Sequence, residues 1–176
     1  MKLFGSKVAF LPLGGSGKDW QQEGCTAYQQ MVSRLRTAGE MAKQEGITIG
    51  IRTGMDAKFD KKLLKKVGSS QIKVYYNFQD AADHHRDICK ELRKLGAQRI
   101  VQIHASNTDS VNLQEDSEIN LPKIRKTLDK MKWSGWLVVE RSRDVKRVRD
   151  VKYNFGRNIA YLKQVFQEVT VSGNNW

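Results

Sequence analysis

Five short runs of β-branched and bulky residues alternate along this chain with segments whose apolar residues recur at helical spacing. The runs are typical of strands and lie at 8–13, 47–51, 72–76, 100–103 and 136–139. The clearest helical stripe between them is Tyr28, Met31, Leu35, Ala38 and Ala42. This alternation limits the fold more than any other feature, because it predicts parallel strands joined by right-handed crossovers.

Four further stripes predict helices near 63–67, 88–95, 121–131 and 155–166. Gly68 and Gly96 end the first two, and Asn120 is placed to cap the third. The class is therefore α/β, either doubly wound or a partial (β/α)8 TIM barrel with about five parallel strands. A complete barrel takes roughly 250 residues, so these 176 residues correspond to about five-eighths of one. No linker or repeat divides the chain, and we expect a single domain over 1–176.

The composition limits which partners the protein is expected to bind and where in the cell it is expected to lie. Thirty-one Lys and Arg against 19 Asp and Glu give a formal net charge of +12, which favours anionic partners. No segment approaches the roughly 20 apolar residues of a membrane span, and the apolar run after Lys7 is too short for a secretory signal. We therefore expect a cytoplasmic protein with no membrane partner. Cys25 and Cys89 are too few for a disulfide scaffold and too isolated for a zinc cluster.

The basic residues do not predict a nucleic-acid site. Most are spread over predicted helices, as are Lys61, Lys65, Lys126 and Lys130, and a solvated outer face accounts for them. The densest stretch, 141–149, is interrupted by Asp144 and carries no aromatic residues on which bases could stack. A nucleic-acid partner is therefore not favoured.

A glycine-rich segment at 14–17, followed by Lys18, resembles a phosphate-binding turn. It lacks the Ser or Thr that a Walker A loop requires after its lysine, since Asp19 stands there. We interpret it as a flexible loop.

Polar residues follow four of the five predicted strands. In both candidate folds ligands bind beyond the carboxyl ends of the strands, so position alone singles out Arg52, Asn77, His104 and Glu140. His104 is suited to ligate a metal or transfer a proton, and a structural histidine is the alternative. Glu140 is suited to bind a cation or act as a base, and a structural salt bridge is the alternative.

The loops after the last two strands add Asn107, Asp109, Arg141 and Arg143 as candidates for binding a substrate. Arginine is suited to grip a phosphate or carboxylate with two parallel hydrogen bonds. His84 and His85, adjacent at the start of a predicted helix, are expected at the surface and not as zinc ligands.

Several of these segments together resemble the sugar phosphate isomerase/epimerase family, whose members have a xylose isomerase-like TIM barrel. They are 38–42, 46–51, 74–77, 95–96, 102–104, 133–140 and 154–163. The most specific are Gln-Ile-His at 102–104 and Gly-Trp-Leu-Val-Val-Glu at 135–140. The resemblance covers about residues 27–168 and implies that the chain corresponds to the carboxyl-terminal five βα units. An open sheet leaves unpaired edges, so we expect self-association or a missing amino-terminal half.

The family's ligand set is only partly present. In the family, a divalent cation such as Mg²⁺, Mn²⁺ or Zn²⁺ is held by Glu, Asp, His and Glu at four successive strand ends. His104 and Glu140 match the last two positions, whereas Arg52 and Asn77 stand where the first Glu and the Asp belong. Hard cations favour carboxylates, so we expect the metal to be weakly bound or absent. The Arg52 guanidinium is then suited to stabilise an enediolate oxygen in its place.

The resemblance implies an isomerase or epimerase acting on a small carbohydrate or sugar phosphate by proton abstraction next to a carbonyl. The predicted catalytic residues are Glu140, His104 and Arg52, and Asn77, Asn107, Asp109, Arg141 and Arg143 are predicted to bind the substrate. One alternative is a non-catalytic carbohydrate-binding or interaction module, in line with the depleted ligand set and the short barrel. A nucleic-acid endonuclease of related fold ranks last, because three histidines are too few for its multi-zinc site.

Overall fold

A computed structural model describes residues 5–13 and 18–167. Its five parallel strands form a half-barrel in which each strand pairs with its neighbours in sequence. They are β1 (Val8–Pro12), β2 (Thr48–Arg52), β3 (Ile72–Asn77), β4 (Ile100–His104) and β5 (Trp136–Val138). Helices alternate with them, which confirms the predicted partial (β/α)8 barrel. The glycine-rich segment 14–17 lies outside the described residues.

Five of the described helices match predicted stripes, and one does not. The helices are α1 (Thr26–Gln44), α2 (Ala57–Val67), α3 (Phe78–Ala82), α4 (Ile88–Leu95), α5 (Leu121–Lys130) and α6 (Val151–Phe166). Gly68 adopts the left-handed conformation that ends α2, and the Asn120 side chain accepts the Lys123 N–H at the start of α5, as predicted. Helix α3 was not predicted, because five residues are too few to show an apolar period. None of the described helices has the length and apolar character needed to cross a membrane.

The observed strand ends differ slightly from the predicted ones, and they determine which site residues lie in the sheet and which lie in a loop. Strands β3 and β4 each run one residue further than predicted, so Asn77 and His104 are their last residues and lie side by side in the sheet. Strand β5 ends at Val138, and Glu140 follows two residues later. The sheet itself therefore holds Asn77 and His104, whereas a loop holds Glu140.

The two faces of the sheet have different surroundings. Ile51 and Ile103 point to the helices and are fully buried, together with Leu63 and Leu92 from α2 and α4. The register places Phe10 and Trp136 on the opposite, inner face, where 43% and 74% of their surfaces are exposed. The core thus lies between sheet and helices, and the inner face is open.

Gly39 and Gly156 give a matched pair of stability predictions. A Cβ at Gly39 would lie 2.7 Å from Ser69 Cβ, closer than side chains approach, whereas one at Gly156 would meet no atom of the described residues within 4 Å. We expect Gly39→Ala to lower the free energy of unfolding by about 1–3 kcal/mol through overpacking. Gly156→Ala should raise it by about 0.5–1 kcal/mol, since alanine is the better helix former. Urea unfolding measures both, and an equal effect at the two sites would show that the Ser69 loop moves away freely.

Candidate functional site

The carboxyl ends of β3 and β4 and the loop after β5 bring three of the predicted residues together. The Asn77 amide donates to His104 Nδ1 at 3.3 Å, and Glu140 Oε2 lies 3.4 Å from the same nitrogen. Asn77 and His104 are buried, whereas about half of the Glu140 side chain is exposed. The arrangement presents one accessible carboxylate beside one sheltered imidazole.

The orientation of the Asn77 amide is fixed by a second hydrogen bond. Asn77 Oδ1 accepts the Gln79 N–H at 2.8 Å at the start of α3, so its amide nitrogen faces His104. The neutral imidazole tautomer that carries its hydrogen on Nε2 accepts that N–H at Nδ1. A protonated imidazole instead carries its own hydrogen on Nδ1 and donates to Glu140. One proton therefore switches the partner of His104 from Asn77 to Glu140.

The surroundings of His104 favour its neutral form. The Tyr75 ring lies 4.4 Å from the imidazole between centroids, and the Phe10 ring lies 5.2 Å away. Burial lowers the pKa of His104 below its ordinary value of 6.5, and the Arg52 charge lowers it further. Glu140 opposes both by raising it. The sequence did not predict Phe10 and Tyr75 as part of the site, because apolar side chains in a strand are expected in the core.

Arg52, at the end of β2, forms a bidentate ion pair with Asp80. The Arg52 Nε and Nη2 donate to the two Asp80 oxygens at 2.9 and 2.6 Å, and both side chains are partly buried. The hydrogen bonds to Asp80 raise the pKa of Arg52, so this cation is held at the strand ends. Asp80 lies in the first turn of the short α3, and the sequence analysis assigned it no role.

The other predicted binding residues join the loops to one another. Arg143 makes a bidentate ion pair with Asp109 at 2.5 and 3.0 Å, and this pairing lowers the pKa of Asp109. The Asn107 amide donates to Asp116 and Glu118, and the Arg141 side chain is exposed. Of these four, Arg141 is the one left open to solvent at the end of β5. Their predicted role in binding a substrate stays a prediction.

Hydrogen bonds with buried asparagines fix the loop that carries Glu140. Ser142, fully buried and with a positive φ of 67°, follows Glu140 by two residues. Its carbonyl accepts from the amides of Asn158 and Asn112 at 2.8 and 3.2 Å, and Asn154 Oδ1 accepts the Asp144 N–H. Since Asn154 and Asn158 are fully buried in α6, that helix sets the position of Glu140.

A second buried polar cluster supports the site from the side of α2 and α4. Asp60 accepts from Thr53, which follows Arg52, at 2.6 Å. Glu91 accepts from the Tyr76 hydroxyl at 3.0 Å and lies 3.4 Å from Arg86 Nε. Two carboxyl groups thus share a buried region with one cation. Burial raises the pKa of Asp60 to about 7.

The sequence matches the family model of the xylose isomerase-like TIM barrel over residues 1–165. The chain belongs to this family. The resemblance seen in the strand-end segments is thereby confirmed. No curated protein sequence matches the chain significantly.

Solved structures with this xylose isomerase-like barrel superimpose well at low identity. D-psicose 3-epimerase, determined in the presence of D-fructose, gives a TM-score of 0.68 at 14% identity, over 81% of this chain and 57% of that one. A xylose isomerase domain protein from Planctomyces limnophilus gives 0.69 at 15%, over 92% and 61%. A 3-keto-D-glucoside 4-epimerase from E. coli gives 0.69 at 10%, over 88% and 63%. The present chain therefore spans about three-fifths of the length of these structures, and at such identities the likeness shows the fold.

The donor set at the strand ends does not fit a hard divalent cation. Of Arg52, Asn77, His104 and Glu140, only the last two are good metal ligands, and the Asp80 carboxylate is occupied by Arg52. Within 5–13 and 18–167, no group of three or more His, Cys, Asp or Glu side chains is placed to hold a metal ion. A positive charge is nevertheless present, on Arg52.

The hydrogen bonds from Asn158 in α6 to the Ser142 loop are predicted to affect the pKa of His104 through Glu140. Glu140→Gln should lower the pKa of His104, because it removes the carboxylate that raises it. Asn158→Ala should lower this pKa as well, by releasing the Ser142 loop, but should have no further effect in a Glu140→Gln background. Proton NMR titration of the imidazole measures both, with the signal assigned by its loss in His104→Gln. An equal drop in both backgrounds would mean that α6 does not act through Glu140.

Proposed function

We propose that this protein is a carbohydrate isomerase or epimerase that moves a proton at a carbon next to a carbonyl. The observation that carries the proposal is the 3.4 Å contact between the accessible Glu140 carboxylate and the buried His104 imidazole. This pair lies at the strand ends of a barrel whose solved neighbours include enzymes named as sugar epimerases. The proposed substrate is a small carbohydrate or sugar phosphate.

Glu140 is proposed as the base. It removes the proton from the substrate carbon, and the electron pair of that C–H bond moves into the adjacent carbonyl to give an enediolate. Return of the proton to the neighbouring carbon, together with transfer of the hydroxyl proton from one enediolate oxygen to the other, gives the isomer. Return of the proton to the opposite face of the original carbon gives the epimer. Because Glu140 and His104 are in contact, they act on one face of the substrate, and the pair by itself accounts for isomerisation.

His104 is proposed to exchange the proton with Glu140. In its neutral form it is held by Asn77, and on taking up a proton it donates to Glu140, so the proton passes between base and imidazole. About half of the Glu140 side chain is exposed, so the proton that it carries also exchanges with solvent. Asn77 acts by positioning the ring. Its own amide is fixed by the Gln79 N–H.

Arg52 is proposed to stabilise the enediolate oxygen. A guanidinium supplies a fixed positive charge and N–H donors without requiring a metal ligand set. Asp80 holds Arg52 in place but also offsets much of its charge, so the stabilisation is smaller than a divalent cation would give.

Arg141 is proposed to bind the phosphate of a phosphorylated substrate. We propose that binding of Mg²⁺, Mn²⁺ or Zn²⁺ is weak, and elemental analysis of the purified protein tests this directly.

Proton exchange with solvent tests the function before the substrate is known. The protein is incubated in D₂O with D-fructose, D-psicose, D-tagatose, L-ribulose and their phosphates, and NMR detects deuterium entering the carbon next to the carbonyl and any new sugar. We expect exchange with at least one sugar, and exchange that is roughly 10²–10⁴-fold slower with the Glu140→Gln variant. Exchange that disappears on treatment with EDTA would contradict the metal-independent mechanism.

A non-catalytic carbohydrate-binding module is the second candidate. The observation that favours it is the Arg52–Asp80 ion pair, which partly neutralises the proposed oxyanion site. Saturable binding of a sugar without deuterium exchange would identify this function. An endonuclease at the strand ends ranks last, because the described residues place no multi-ligand metal group there.

The assembly of the protein also stays a proposal. We propose that the chain is one domain that corresponds to the carboxyl-terminal five βα units of the barrel. Trp136 on the inner face and an apolar groove of about 740 Å³ beside β5, lined by Leu128, Trp133 and Leu162, leave that side of the half-barrel uncovered. Self-association or pairing with a separate amino-terminal half would cover it. The mass in solution, measured by light scattering, tests the first.

A further inference from the structure

Two neighbouring grooves lie at the end of the sheet opposite the candidate site. Both are lined by Ser69 and Ser70, which connect α2 to β3. The first has a volume of about 440 Å³ and is lined by Lys61, Lys65, Lys73 and Arg99. The second, of about 380 Å³, is lined by Arg36, Lys43 and Lys66. Residues from α1, α2 and the segments before β3 and β4 thus form one continuous basic surface, here called the basic grooves.

The basic grooves carry a large share of the excess charge of the protein. Six of their seven cationic residues are exposed, all except Lys73, and one carboxylate, Glu40, stands among them. These six and Glu40 give a local charge of +5 out of the formal +12 of the chain. Among the described residues, none of the six forms an ion pair with a carboxylate. At the strand ends, by contrast, Arg52 and Arg143 are paired with Asp80 and Asp109.

Helix termini account for only part of this charge. Arg36 donates to the carbonyls of Lys66 and Val67 at the end of α2, and Arg99 donates to the carbonyl of Leu95 at the end of α4. A helix carboxyl terminus carries a partial charge of about −0.5, so the ends of α1, α2 and α4 offset fewer than two of the cations. The surplus is available to an external anion, and the two arginines are held in place by their carbonyl partners.

We propose that the basic grooves bind the phosphate backbone of a nucleic acid. An extended series of phosphates matches cations that are contributed by several elements along two adjoining grooves. Among the residues that the structure describes, no aromatic side chain lines either groove, so base stacking is not provided and the binding should be independent of sequence. In the linear sequence these residues are spread over separate helices, and the fold gathers them around one loop. The surface lies at the other end of the strands from Glu140 and does not depend on the proposed enzymatic function.

Two double variants with the same change in charge test the proposal. Lys61→Glu with Lys65→Glu reverses two charges, four residues apart, in the first groove. Lys126→Glu with Lys130→Glu makes the same change, with the same spacing, on the exposed face of α5. Binding of a fluorescein-labelled 20-base-pair DNA duplex is followed by fluorescence anisotropy between 50 and 200 mM NaCl. Circular dichroism confirms that each variant is folded.

The native protein is expected to bind the duplex, with an affinity that falls steeply as salt is added. The groove variant should bind at least tenfold more weakly, and the slope of log K against log salt should fall by about 2, since two phosphate contacts are removed. The α5 variant should lose less than threefold. Equal losses in both variants would show a general effect of net charge and overturn the proposal. Absence of binding at 50 mM NaCl, or displacement of the duplex by inorganic phosphate at equal phosphate concentration, would overturn it as well.

Discussion

Replacing Asp60 by asparagine is expected to raise the free energy of unfolding at pH 8 by about 2–4 kcal/mol and to change it little at pH 4. Asp60 is only 4% exposed, and burial raises its pKa from 3.8 to about 7. Below pH 3.8 the carboxyl is protonated in both the folded and the unfolded chain, so it contributes no difference. Between pH 4 and 7 the unfolded chain releases this proton while the folded chain retains it. Stability is therefore lost as the pH rises through this window.

The amide avoids this loss because it does not ionise. Asparagine keeps the oxygen that accepts the Thr53 hydroxyl at 2.6 Å. It also removes the repulsion from Glu91, which raises the pKa of Asp60 in addition to burial. The pKa of Asp60 differs by about three units between the folded and the unfolded chain. Each unit corresponds to about 1.4 kcal/mol, and this sets the upper limit of the gain in stability. Urea unfolding at pH 4, 6 and 8 measures the gain and its pH dependence.

Asp56→Asn is the matched control on the same helix. Asp56 is exposed and caps α2 by accepting the Phe59 N–H at 2.7 Å, a bond that asparagine also makes. This variant should change the stability by less than about 0.5 kcal/mol at any of the three pH values. A loss of stability in Asp60→Asn at pH 8 would mean that Arg86 fully compensates the ionised Asp60, and that the pKa of this carboxyl is not raised in the folded protein.

The elements of the fold were largely predictable because each long helix carries its own apolar stripe and its own stop signal. Strand positions were correct to within one or two residues. The errors that matter occur where a strand passes into a short helix. Asn77 ends β3 and also caps α3, and a helix of five residues leaves no period to read. Asp80, which lies in this helix, was assigned no role for this reason.

The position of the candidate site was predictable from the sequence, but the ion pairs between its side chains were not. The rule that ligands gather at the carboxyl ends of parallel strands singled out Arg52, Asn77, His104 and Glu140. It gave no means of knowing that Arg52 is paired with Asp80, or that Asp109 and Arg143 are paired with each other. Such pairs join residues about 30 positions apart, and only the folded loops bring them within hydrogen-bond distance.

Glu140→Gln is expected to lower the rate of proton exchange into the substrate by roughly 10²–10⁴-fold, the contribution of a positioned general base. Glutamine has the same shape and keeps a polar contact with His104, but it cannot accept the proton.

Because catalysis requires a neutral His104, the native rate should fall as the pH decreases below 6.5, through the lowered pKa of this residue. The rate is measured by NMR with whichever sugar exchanges in D₂O.

Glu23→Gln provides the control for this substitution. Glu23 is exposed to a similar degree as Glu140, 45% against 52%, and is paired with Lys62 of α2. Its replacement should leave the exchange rate within about twofold of the native value, as is usual for a surface substitution away from a site. If both variants retained the native rate, Glu140 would not be the base. If Glu140→Gln alone lost exchange while its affinity for the sugar stayed the same, the missing interaction would belong to the transition state, as proton abstraction requires.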